Sequence, residues 1–474
     1  MARRNVAPTG SSTVAAILGA PPPGEVTLTG VSDDSRTVMP GDLFFCVRGT
    51  RFDPHHAARE ILASGAAALV VDRDVDVPGG SVVIRVRDVR AIVGPVVSEL
   101  LGRPSTKVPM VGVTGTNGKT STAAFVAAAL RGHGANPAVF GTLTAARTTP
   151  EPLELQSALA DAVEGGATHV VMEVSSHALA LGRVNGIVFD VAVFTNLSRD
   201  HIDFHGSMDE YRAAKFSLFS PSRARHAVVN ADDPAGRDLL GACTVHAVAS
   251  SSADLSDVVV GATSVSYVWS GVGVTVPVGG RFTVENSRLA LETCRLLGVP
   301  PDAAARGLSA APPVPGRMEP VQTDGGFDVI VDYAHTPDAL RALLTTVRES
   351  AGGRVLLVFG CGGDRDKGKR PEMGRVAAEL SDVMWVTSDN PRTEDPHAII
   401  HDIIAGTSAA RARVIVQSDR AAAIESAISE AGHGDIVVVA GKGHEPYQEI
   451  AGVFHEFSDV NVARAAAARR SGTR

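Results

Sequence analysis

Val111-Gly-Val-Thr-Gly115-Thr-Asn-Gly118-Lys119-Thr120-Ser121 is the stretch that decides how this chain is read. An apolar run from Val108 to Val113 precedes it and an alanine-rich run to Gly132 follows, so a strand feeds a glycine-rich turn and then a helix. Glycines let backbone N–H groups turn toward phosphate oxygens, and the helix start adds a favourable dipole. On this reading Gly115, Thr116, Asn117, Gly118, Lys119, Thr120 and Ser121 cradle phosphate groups, with Lys119 reaching the terminal phosphates and the Thr120 hydroxyl offered to Mg²⁺. The first glycine of the G-x-x-x-x-G-K-S/T pattern falls on Val113, and a plain turn before a helix is the alternative.

Further apolar strands are expected at residues 169–174, 188–195 and 227–230, separated by helical segments, which implies a mostly parallel sheet. Glu173 ends the first of these, where a P-loop sheet holds its metal; a solvated strand-end carboxylate is the other reading. The next strand runs into Thr195-Asn-Leu-Ser-Arg-Asp200-His201-Ile-Asp203, dense in ligand-type groups. His201 is its candidate metal ligand, against a surface or capping role. Upstream, β-prone runs at 43–47 and 68–71 flank a helical stretch at 56–64 and form a small α/β unit that closes near 103–105. Downstream, helix breakers at 310–316 mark a linker. Strands at 327–332, 354–359, 383–387, 412–416 and 436–439 then alternate with helices such as 338–350 and 420–430, the pattern of a doubly wound sheet. Residues 463–474 are expected to fray.

The length, 474 residues, suits about three domains, and 44% hydrophobic with 20% charged residues is the balance of an ordinary globular protein. A net charge of −8 offers no global attraction for nucleic acid. Cys46, Cys243, Cys294 and Cys361 are scattered, so neither a zinc knuckle nor a disulfide framework is indicated. The apolar stretch from Val14 to Ala20 is short and runs into Pro21-Pro22-Pro23, and no run reaches the ~18 residues needed to span a bilayer. The expectation is a cytoplasmic protein with no membrane insertion.

Six segments occur in the order found in the Mur ligases, which form amide bonds with ATP in peptidoglycan precursor synthesis. They are TGTNGKTS, MEVSSHAL, TNLSRDHID, Asp209-Glu-Tyr-Arg-Ala-Ala-Lys215, Gly316-Arg317-Met-Glu319 and Asp332-Tyr-Ala-His335-Thr-Pro337. The chain resembles that family over most of its length. The resemblance implies a three-domain α/β architecture: a small UDP-sugar-binding domain at 1–106, a central P-loop parallel-sheet ATPase domain at 107–315 and a C-terminal Rossmann-like, amino-acid-binding domain at 316–474. It also implies that ATP phosphorylates a carboxylate and that an amine attacks the acyl-phosphate. Thr120 and Glu173 would hold one Mg²⁺, and His201 a second. Lys215 resembles the family's carbamylated lysine, since an ammonium cannot ligate Mg²⁺ and its carbamate can; a helix lysine pairing with Asp209 or Glu210 is the alternative. Arg317, Asp332 and His335 would close over the nucleotide, and Asn286 would contact adenine, although Phe282-Thr-Val-Glu-Asn departs from the family form.

The N-terminal Ser32-Asp-Asp-Ser35-Arg36 and Pro40-Gly-Asp-Leu-Phe44 resemble the uridine-nucleotide-binding segments of the tripeptide-forming members. Ser35 would contact the UDP-sugar, and Gly49-Thr-Arg-Phe-Asp53 resembles a second contact loop. Thr148, Thr149, Ser175 and Arg183 match positions that hold the muramoyl-dipeptide. In the third domain Arg365, the quartet Asp389-Asn390-Pro391-Arg392, Gly441 and Glu445 resemble the site of members that add meso-diaminopimelate to UDP-MurNAc-L-Ala-D-Glu. A planar guanidinium suits the carboxylate that distinguishes diaminopimelate from lysine, and Glu445 would take the ammonium. A lysine-adding member, a folylpolyglutamate synthase-like ligase and a P-loop ATPase regulator are the alternatives.

Overall fold

A computed structural model of the chain describes residues 3–20, 24–49, 52–145, 147–407 and 411–471. Pro21–Pro23, and Thr50 and Arg51 of the second uridine-contact loop, lie outside the described residues. The chain divides into two compact units: Met1–Ser252 with Leu289–Ala304, and Ala253–Arg288 with Ala305–Arg474.

The first unit holds two sheets. In the smaller, strands Arg3–Gly10, Thr27–Ser32, Asp42–Phe45, Ala68–Val71 and Val82–Arg85 lie side by side in chain order; the first pair is antiparallel and the rest parallel. The larger sheet is wholly parallel, in the spatial order His246–Ser250, Ala224–Asn230, Phe189–Phe194, Met110–Thr114, His169–Glu173, Pro137–Phe140. All five residues of Met110–Thr114 are buried, as a strand covered on both faces requires, which is why it reads as an unbroken apolar run. The chain next builds Pro137–Phe140 and His169–Glu173 on one side of this strand, then Phe189–Phe194 on the other. Its carboxyl end is therefore a topological switch point, the place where open α/β sheets leave a crevice for ligands. The two sheets are tied together by an Arg4–Asp161 ion pair and by Leu153, which packs among Val14, Leu28, Val31, Val93 and Val97.

The second unit contains a six-stranded sheet in the order Glu319–Val321, Asp328–Asp332, Ile436–Ala440, Val355–Phe359, Val383–Val386, Arg413–Val416. Only the first strand is antiparallel. Val329, Val331, Leu356, Val358, Val437 and Val439 pack with helices Arg420–Glu430 and Asp459–Ser471, while alternate residues Ile330, Leu357 and Val438 are buried on the opposite face. The expected doubly wound sheet is present. The three-stranded antiparallel sheet Leu255–Val260, Val265–Trp269, Val272–Val276 is an addition that the sequence reading passes over.

Up to Ser471 the frayed tail is a correction, and residues 472–474 lie outside the described residues. The chain is helical to Ser471, with Ala463, Ala466 and Ala467 buried against the sheet. Asp459 forms a fully buried ion pair with Arg420 at 2.7 Å, and Arg470 donates to the carbonyls of Ile428 and Ala431. Small side chains let this helix lie close, and the ion pair anchors its first turn.

Candidate active site

The glycine-rich turn leaves Met110–Thr114 and enters helix Lys119–Gly132 through Gly118, whose φ of 83° is left-handed. Gly115, at φ 152°, passes so close to the neighbouring strand end that a Cβ there would lie 1.8 Å from Thr195 Oγ1. The turn is braced by Asn117 N–H on Asn196 Oδ1 at 2.9 Å, by Thr195 Oγ1 on Asn117 O at 2.6 Å, and by the Thr116 hydroxyl against Tyr211 Oη at 3.0 Å. Lys119 Nζ donates to Gly115 O at 3.0 Å and Thr116 O at 2.8 Å. Thr120 Oγ1 donates to Glu173 Oε2 at 2.9 Å, and Glu173 Oε1 accepts from Thr142 N–H at 2.8 Å. Glu173 is thus a buried carboxylate facing the loop and not a solvated strand end.

Lys215 sits on helix Met208–Phe216, only 1% exposed, so the surface reading with Asp209 or Glu210 as partners does not hold. Its Nζ donates to the same Gly115 carbonyl at 2.7 Å and lies 4.5 Å from the Tyr211 ring centre. Burial, reinforced by the Lys119 charge, drives its pKa well below the usual lysine value. His201, in a left-handed conformation at φ 54°, lies beside this cluster with His177 edge-on at 4.7 Å. Burial, then the neighbouring His201 and His205, pushes His177 down to about 4, which keeps it neutral at pH 7.

On the other side of Glu173, Thr149 is fully buried and its hydroxyl donates to Glu173 O at 2.9 Å while accepting from Ser175 N–H at 3.1 Å. Thr148 Oγ1 lies 3.1 Å from Thr142 Oγ1. Arg183 Nη1 donates to Thr149 O at 3.1 Å and Nη2 pairs with Glu151 at 2.8 Å. Its buried Nε has no partner among the described contacts. Ser35 lies one residue from Asp34, in the loop where burial, then Glu151 and Asp34, raise Asp33 to about 6. Gly115 to Ser121, Glu173, His201, Lys215, Thr148, Thr149, Ser175, Arg183 and Ser35 all belong to the first unit.

Asn286, Arg317, Asp332, His335 and the amino-acid-site residues belong to the second unit. Asn286 is buried on helix Arg281–Leu296. At the end of Asp328–Asp332, the Asp332 carboxylate accepts from Met318 and Ala334 N–H, each at 2.8 Å, and Arg317 lies over the Tyr333 ring. His335 is exposed, its ring nitrogen 2.8 Å from Tyr333 O.

Next to it, the ends of Val383–Val386 and Ile436–Ala440 bring the quartet and the Gly441–Glu445 turn together. Asn390 Nδ2 donates to Glu445 Oε2 at 2.8 Å, and Lys442 Nζ reaches Asn390 Oδ1 at 3.0 Å and Glu445 Oε2 at 3.1 Å. Gly441, at φ 113°, admits Asp389 so closely that a Cβ would lie 2.9 Å from its Oδ2. Pro391 is buried, and Arg392 has a left-handed φ of 52°. Arg392 Nη1 donates to Gly363 O at 2.5 Å and Nε pairs with Glu449 at 3.3 Å. Arg365 is exposed on the adjoining loop.

Three family models match in succession: "Mur ligase family, catalytic domain" over residues 27–103, "Mur ligase middle domain" over 113–294 and "Mur ligase, glutamate ligase domain" over 316–443. The chain is 42% identical over 458 residues to a UDP-N-acetylmuramoyl-L-alanyl-D-glutamate–2,6-diaminopimelate ligase of Syntrophomonas wolfei, covering 92% of this chain and 94% of that one. It is 45% identical over 467 residues to the ligase of the same name from Gloeobacter violaceus, covering 94% and 95%. The chain belongs to the Mur ligase family. A solved structure of a ligase with that name superposes with a TM-score of 0.68 at 35% identity, covering 93% of this chain and 95% of that one. A Mycobacterium tuberculosis folylpolyglutamate synthase shares the fold at 20% identity and a TM-score of 0.60, covering 81% of this chain and 95% of that one.

Mur ligases take ATP as substrate and use Mg²⁺. Glu173 Oε2 and Thr120 Oγ1, 2.9 Å apart and buried at the helix start, are hard oxygen donors that fit one Mg²⁺ completing its shell with water and phosphate. Among the described residues no group of three or more His, Cys, Asp or Glu converges to hold a metal unaided. The sequence reading overlooks Tyr211, Lys442 and Glu449. Lys442 had a signal, since it lies between two glycines inside a segment already singled out; Glu449 had none, because strand pairing alone brings it to Arg392.

Proposed function

We propose that this Mur ligase joins meso-diaminopimelate to UDP-MurNAc-L-Ala-D-Glu with ATP, through an acyl-phosphate, in peptidoglycan precursor synthesis. The observation that carries the choice of amino acid is the Arg392–Glu445 arrangement. A guanidinium fixed by Gly363 O and Glu449 is linked to a carboxylate fixed by Asn390 and Lys442, because Asn390 Oδ1 also accepts from Glu449 N–H. A ligand with an ammonium and a carboxylate at its distal end matches that pair, and lysine supplies only the ammonium. The relatives named as diaminopimelate ligases support the same choice.

The residues divide the work. Lys119 and the N–H groups of the loop bind and orient the terminal phosphates. Arg183, Thr148, Thr149 and Ser175 position the dipeptide carboxylate, while Ser35 holds the uridine end. Arg317, Asp332, His335 and Asn286 serve the nucleotide. Thr120 and Glu173 would hold a Mg²⁺ that would neutralise phosphate charge, and His201 and Lys215 are assigned to hold a second. Lys215 is assigned a carbamate: its buried amine is driven toward the neutral form, which adds CO₂ with loss of a proton to give an anion. Domain limits at 1–106, 107–315 and 316–474 and a cytoplasmic setting go with this reading, and no helix of the described residues is long and apolar enough to cross a membrane. The test is phosphate release and product mass with ATP, UDP-MurNAc-L-Ala-D-Glu and a panel of amino acids. Release only with the dipeptide and diaminopimelate together is expected, and equal turnover with neither would defeat the proposal.

A further inference from the structure

Lys442 is 0% exposed. A buried ammonium is costly unless it is surrounded by acceptors, and this one is: Asn390 Oδ1 at 3.0 Å, Glu445 Oε2 at 3.1 Å and Asp389 Oδ1 at 3.6 Å, with the Tyr447 ring centre at 5.7 Å. Three of the residues assigned to the amino-acid site therefore meet on one cation that is not itself on the pocket surface. The hydrogen bonds also fix which way each group points. Asn390 Oδ1 accepts from Lys442 and from Glu449 N–H at 3.0 Å, which forces its amide nitrogen toward Glu445 Oε2 at 2.8 Å. Glu445 Oε2 consequently has two donors, and no described contact reaches Oε1. A carboxylate whose one oxygen is doubly held cannot rotate freely, so its other oxygen has a defined direction.

We propose that Lys442 is a positioning residue for the amino-acid site: by holding Asn390 Oδ1 and Glu445 Oε2 together it aims Glu445 Oε1 at the ammonium of the incoming amino acid. This deepens the assignment of Glu445 made above and rests on it. The Asn390 side chain then acts as an internal brace, its polar atoms engaged with Lys442, Glu449 and Glu445, and not as a direct ligand contact. A second consequence is electrostatic. Lys442 offsets the charge of Asp389 and Glu445 together, so that one carboxylate can face a zwitterion without a second repelling its carboxylate end.

The experiment is a double-mutant cycle on the full-length enzyme between Lys442→Met and Glu445→Gln, reading kcat and the KM of each substrate. Lys442→Met should raise the KM for diaminopimelate about tenfold or more, with those for ATP and the UDP-dipeptide changed less than about twofold. In the Glu445→Gln background the same substitution should add less than about twofold, because the carboxylate it aims is gone. A merely structural lysine would give the same factor in both backgrounds, or a loss spread over all three substrates, and either result overturns the proposal. If Glu445→Gln alone leaves the diaminopimelate KM unchanged, the amino-acid-site reading itself fails. If Glu445→Gln raises it and folded Lys442→Met does not, only the positioning role fails. Lys442→Leu, which likewise removes the donor, is carried through the same cycle in case Lys442→Met does not fold, with the same outcomes deciding.

Discussion

The phosphate loop and the amino-acid pocket handle charge in opposite ways. Around the loop like charges are kept from coexisting: the Lys215 amine, which shares the Gly115 carbonyl with Lys119, is driven toward its neutral form by burial and by that neighbour, and beyond Arg183 the Asp33 carboxyl is raised to about 6 by burial and by Glu151. In the proposed amino-acid site opposite charges are paired: Lys442 with Glu445 and Asp389, and Arg392 with Glu449. The difference teaches what each site waits for. A region that presents a cation is completed by a ligand of the other sign, here a triphosphate against Lys119. A region already neutralised selects by geometry, and suits a ligand that carries both signs.

The comparison breaks most visibly at Lys119. Lys119→Ala removes a charge aimed at the transferring phosphoryl group and should lower kcat by about 10²–10³-fold or more, measured as phosphate release with all substrates saturating. Near-normal turnover would mean that Lys119 does not serve the nucleotide. Lys215→Ala comes next. On the carbamate assignment it is nearly inactive, and millimolar formate or acetate restores part of the rate because the missing group is an anion. Restoration by methylamine instead would show that the ammonium was needed.

A smaller effect belongs to Asp33. A carboxyl raised from 3.8 to about 6 on folding favours the protonated protein, so its contribution to stability is full below about pH 4 and is lost as the pH climbs through 6. Asp33→Asn should therefore melt above the parent at pH 7 by the equivalent of up to about 2–3 kcal/mol, and the gain should vanish near pH 3.5. A gain of equal size at both pH values would mean that packing, and not charge crowding, is responsible.

Much of this was legible in the sequence where the determinants are local. The loop from Gly115 to Thr120 lies between a fully buried strand and a helix, and both follow from apolar patterning over some twenty residues. The hairpin Val265–Trp269, Val272–Val276 also had a local signal: buried and exposed residues alternate, and Ser270-Gly271 turns with both φ positive. The surrounding segments read as α/β and mask that signal. Strand Arg3–Gly10 had no such mark. Its arginines and Pro8 argue against a strand, and pairing with Thr27–Ser32 prevails over propensity. The tail misled for the opposite reason: an alanine-rich, arginine-rich end looks loose, yet its first-turn Asp459 meets Arg420 from a distant helix.

Arg392 is where the structure changes the energetics expected from sequence. Reading the quartet alone, lysine would leave the guanidinium without a carboxylate. In the fold Glu449 and Gly363 O already engage it, so lysine meets a satisfied arginine and the penalty shrinks toward the lower end of the charge-assisted range, about tenfold.

The most direct test of diaminopimelate selection is the ratio of kcat/KM for meso-diaminopimelate to that for L-lysine, compared between the parent enzyme and Arg392→Ala. The account predicts a parent ratio well above one that falls about tenfold or more in the variant, with the KM for ATP little changed. An unchanged ratio, even with lower total activity, would contradict the assignment of Arg392 as the residue that reads the distal carboxylate.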